Sequence, residues 1–100
     1  MFNGIREQLT ITIESPERAK PLLRAAIRNQ VKLLEHGIER TRARLTAFEK
    51  QYGVGSDEFL RRFQSGEMAE TLELIDWRME IEAMRLLQGE YYILNGALVD

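Results

Sequence analysis

A chain of 100 residues with 44% hydrophobic and 30% charged side chains has material for one domain with a modest core. It contains no cysteine, which excludes disulfides and thiolate metal sites. It also lacks the apolar run that a membrane helix needs, and Met1 to Thr12 carry no signal-peptide pattern, so a cytoplasmic protein is expected. The net charge of −2 hides an asymmetry. Residues 1–50 hold ten Lys/Arg against six Asp/Glu, and residues 51–100 hold four against ten. Halves of opposite sign attract when they fold together or meet across a subunit interface.

Gln8 to Glu14 alternate polar and apolar residues, which predicts a half-buried strand or extended arm over residues 1–14, with Leu9, Ile11 and Ile13 on one face. Ser15-Pro16-Glu17 then reads as a helix start, with Ser15 as the capping side chain. Pro21 cannot donate a backbone hydrogen bond to Glu17, so within the helical stretch 15–52 the main helix is expected to restart at about residue 21. Along it Leu23, Ile27, Leu34, Ile38, Leu45, Phe48 and Tyr52 form a seam of three- and four-residue steps with one stutter, as in a coiled coil. At 1.5 Å per residue a helix from 21 to 52 spans roughly 48 Å, more than the roughly 35 Å diameter of a compact chain of this size. Such a helix overhangs its own domain or bends at Gly37, and an overhanging seam needs a partner.

Gly53 supplies a left-handed helix stop. Residues 53–66 form an elbow containing a short helix, on which Phe59, Leu60 and Phe63 pack back. A second long helix runs over residues 67–95, from about Met68, with Leu72, Ile75 and Met79 on one track and Trp77, Ile81, Met84 and Tyr91 on another. Tyr91 to Leu94 read equally as helix end or strand. The fold expected is mainly α: a short N-terminal strand or arm, then a long-helix hairpin with a helical elbow, as a dimeric coiled coil or helical bundle.

The chemistry-bearing residues are sparse. His36, the single histidine, has Lys32, Glu39 and Arg40 as helical neighbours and no acid–x–x–His pairing. The glycines make no phosphate loop, and no serine or threonine sits in a nucleophile turn. Glu70, Glu73, Asp76 and Glu80 line one side of the last helix, a solvated face or the mate of a basic stripe more readily than a metal site. No catalytic residue, metal or cofactor is therefore assigned. The seam residues Leu23, Ile27, Leu34, Ile38, Leu45 and Phe48, with Trp77, Ile81 and Met84, are the candidates for oligomer or partner binding. The basic row Lys20, Arg24, Arg28 and Lys32 is suited to phosphates or to acidic protein, and Thr10 and Thr12 on a dimerised strand are acceptable base readers. These suggest possible nucleic-acid contacts at Thr10, Thr12, Lys20, Arg24 and Arg28, although a pI near 5.5 is low for a dedicated DNA binder.

Nearly the whole chain resembles a family of small bacterial proteins associated with toxin–antitoxin loci. The resemblance lies in Thr10-Ile11-Thr12-Ile13-Glu14-Ser15-Pro16, Gly37-Ile38-Glu39-Arg40-Thr41-Arg42, Phe48-Glu49-Lys50-Gln51-Tyr52-Gly53 and Ser56-Asp57-Glu58-Phe59-Leu60-Arg61-Arg62-Phe63, then Gly66-Glu67 and Trp77. The chain departs from the family pattern at Met68-Ala69-Glu70-Thr71, where a more acidic stretch is expected. The resemblance implies an antitoxin encoded beside a small TumE-like toxin, which it sequesters as a homodimer through helical surfaces. The alternative is a dimeric DNA-binding regulator using the N-terminal strand and the basic helix face.

Overall fold

The computed structural model describes residues 15–98, and these form three helices, α1 (Pro16–Tyr52), α2 (Ser56–Gln64) and α3 (Leu72–Gly96). The strand expected over residues 8–14 lies outside the described residues. The chain is mainly helical, with the long α1 packed against α3 and with α2 at the turn between them.

Helix α1 begins at Pro16 and runs through Pro21 without restarting. Pro21 sits in the second turn, where its missing N–H leaves only the carbonyl of exposed Glu17 without a helical donor. Ser15 does not cap with its hydroxyl; its carbonyl accepts from Arg18 N (3.1 Å) and Ala19 N (2.9 Å). The helix continues through Gly37, which stands where the two long helices approach: a Cβ there would lie 3.4 Å from Leu87 Cδ2. Thirty-seven residues span about 55 Å, close to the 57 Å longest dimension of the molecule, so α1 is extended along its length. At Gly53 (φ 68°) the backbone turns left-handed and its N–H donates to Glu49 O at 2.9 Å.

The core sits at the elbow. Phe59 and Trp77 are fully buried and Phe63 and Leu74 nearly so, with Leu45, Phe48, Val54, Met68, Ile75 and Ile81 packed around them. Phe59 stacks on Trp77 with ring centroids 3.9 Å apart and planes 1° from parallel, and Phe48 stacks on it at 5.3 Å and 6°. The buried indole N–H donates to Ser56 Oγ at 3.0 Å, which removes the cost of hiding a polar group. Glu49 reaches from α1 to accept the Ser56 backbone N–H at 2.8 Å, so the start of α2 is capped by the preceding helix.

Helix α3 starts at Leu72, four residues later than the sequence reading, because Thr71 Oγ1 accepts from Leu74 N at 3.2 Å and fixes the first turn there. Tyr91 to Leu94 are helical.

Candidate interaction surface

Contacts along the hairpin set the α1–α3 register. Tyr52 donates its hydroxyl hydrogen to Glu73, Arg44 Nη1 pairs with Glu80 Oε2 at 2.7 Å, Gly37 faces Leu87, and Tyr91 Oη bonds Glu35 Oε2 at 3.3 Å. The two helices are antiparallel, and this register brings the end of α3 level with about Arg28. Helix α1 has 37 residues against 25 in α3, so about 18 Å of it extends past its neighbour. Val31 is the first buried residue of α1.

This register divides the residues read as a binding seam. Leu34, Trp77 and Met84 are buried in the hairpin, and Leu45, Phe48 and Ile81 pack on its aromatic core. Ile38 is half-buried and lines a shallow hollow with Glu35, His36, Arg42 and Tyr91. These seven are occupied within their own chain, because α3 folds back over the seam from residue 31 onward. Leu23 (42% exposed) and Ile27 (half-buried) are what remains for a partner, joined by Leu22 at 72%. Lys20, Arg24 and Arg28 stand on the same overhang, and Thr10 and Thr12 lie outside the described residues. From Pro16 to Arg28 the segment holds Arg18, Lys20, Arg24 and Arg28 against the single acid Glu17.

The other end of the molecule is acidic and internally paired. Glu58 accepts from Arg61 and Arg62 (2.8 Å each), and these bonds, that from Arg61 foremost, hold its carboxyl down at about 2. Of the expected acidic stripe, Glu80 is engaged by Arg44 and Glu73 by Tyr52, while Glu70 lies before α3 begins. No group of three or more His, Asp or Glu side chains among the described residues converges on a point that would hold a metal ion. No helix among them is long and apolar enough to cross a membrane.

A second surface escaped the sequence reading. Leu72, Met79, Leu86 and Ile93 recur at seven-residue steps on α3 and are 87, 57, 52 and 70% exposed. That spacing keeps them on one stripe, roughly opposite the side where Leu74, Trp77, Ile81 and Met84 meet α1 and the elbow. The spacing was visible in the sequence, but the row is outnumbered there by the apolar residues of the core side.

Compared with known proteins, the chain matches no family model, no curated protein and no solved structure.

Proposed function

We propose that this protein binds a small partner protein, in the manner of an antitoxin holding its toxin, and that the overhanging first third of α1 is the contact surface. The carrying observation is the overhang itself: a cationic helical segment with Leu22 and Leu23 exposed past the end of α3. An amphipathic helix of this kind docks into a groove through anchors at three- and four-residue steps. Full burial of Leu22, Leu23 and Ile27 would contribute about 1.5–3 kcal/mol each. The basic row beside them favours an acidic partner surface and speeds encounter. The setting is the bacterial cytoplasm, and the role is binding without catalysis.

Co-expression with the product of the neighbouring gene tests this. The account expects a complex that survives purification and relieves any toxicity of that product; neither complex nor relief would sink it. A second reading, DNA binding, is favoured by the placement of Lys20, Arg24 and Arg28 on one projecting segment. It predicts binding to promoter DNA that weakens steeply with salt, with a slope reduced by about one for each phosphate-contacting cation removed.

A further inference from the structure

One long face of the hairpin carries a groove of about 420 Å³ between α1 and α3. Its floor is made by Gly37, Ala83 and Leu87. Arg40 and Arg44 rise on the α1 side, and Asp76 and Glu80 on the α3 side. Arg44 and Glu80 are paired within the chain, whereas Arg40 and Asp76 form no salt bridge among the described residues. Met79, one of the exposed heptad-spaced row, also lines the groove and joins it to that row.

We propose that this groove face is the surface on which a second copy of the chain docks, with a twofold axis parallel to the helices that lays each α1 over the α3 of the other copy. Two arguments select this occupant. A twofold rotation about such an axis exchanges the two sides of the face, so each basic rim meets an acidic rim, twice per dimer; antiparallel stacking of α1 on α1 sets like charges together. The area points the same way. The accessible surface of 8162 Å² exceeds the roughly 5900 Å² expected for a compact monomer of 11.7 kDa. The excess is comparable to the roughly 1,200–2,000 Å² of a specific protein interface. The inference does not depend on what the overhang binds, since the overhang lies beyond the groove.

The orientation makes a residue-level demand. Arg44 and Glu80 are level within one chain, and the proposed axis preserves levels, so Arg40 of one copy lies opposite Ala83 of the other. The full chain should sediment at about twice 11.7 kDa at micromolar concentration. Met79→Glu and Ala83→Arg should each weaken self-association about ten-fold or more while the helical circular dichroism and thermal melt of the chain are retained. Met79 is 57% exposed and tolerates the change in the monomer, so it keeps the test valid should Ala83→Arg misfold. The native chain has no cysteine, so single cysteines give clean cross-links. A chain with Arg40→Cys mixed with one carrying Ala83→Cys should form the mixed disulfide in preference to either self-disulfide. A wild-type mass of one chain at tens of micromolar would overturn the proposal. So would a dimer that survives Met79→Glu yet dissociates with Leu22→Ser and Leu23→Ser, or Ala83→Cys chains that link only to themselves.

Discussion

The two ends of α1 have similar apolar periodicity and opposite fates. Around the elbow, Leu45 and Phe48 are covered by α2 and α3, and Phe59 and Trp77 are removed from water completely. On the overhang, Leu22 and Leu23 at equivalent helical spacing stay in solvent. The difference comes from length and not from composition: α3 ends before it can cover the start of α1. A periodic apolar seam establishes that a surface will be covered, and the length of the neighbouring helix decides whether this chain or another does the covering.

Substitutions should separate the two ends. Trp77→Ala is expected to have the largest effect, a loss of about 3–5 kcal/mol in urea or thermal unfolding, because it removes the shared stacking partner of Phe48, Tyr52 and Phe59. Gly53→Ala is expected to cost about 1–2 kcal/mol through its left-handed backbone, read as a lower melting temperature. Thr71→Ala should remove the cap on Leu74 N and cost about 1 kcal/mol, with the start of α3 losing hydrogen-exchange protection first. On the overhang, Leu22→Ser should change stability by less than about 0.5 kcal/mol, a surface substitution in the isolated chain.

The smallest effect expected is acidic. The Glu58 carboxyl, held at about 2 by Arg61 and Arg62, is lowered from its ordinary value. Its contribution to α2 is therefore present above about pH 4.5 and lost as pH falls through about 2. Full exposure to solvent keeps that contribution small. A Glu58→Gln chain should show the same melt as wild type below pH 2 and differ only above it.

The helical architecture was legible because its signals are local. Pro16 and Gly53 bracket α1, and the three-and-four spacing of Leu34, Ile38, Leu45 and Phe48 declares a helix with one covered face. Pro21 misled because the rule against internal proline weighs a lost hydrogen bond without asking whether the freed carbonyl stands at an exposed turn. The start of α3 was placed too early because Ser65-Gly66-Glu67 has the composition of a helix start, while Thr71 supplies the actual cap. The site was legible only in part. Sequence spacing names Leu23, Ile27, Leu34 and Met84 alike, and only the register of Arg44 against Glu80 tells which of them α3 has already taken. The groove between Arg40 and Asp76 is a product of that same register and has no sequence signature.

The central claim is that the overhang receives the partner while the elbow holds the fold. It is tested most directly by co-purifying the neighbouring gene's product with a chain carrying both Leu22→Ser and Leu23→Ser. The account predicts a chain with unaltered circular dichroism and melt that no longer retains a product the wild-type chain holds. Retention of that product by the double variant at wild-type yield would contradict it.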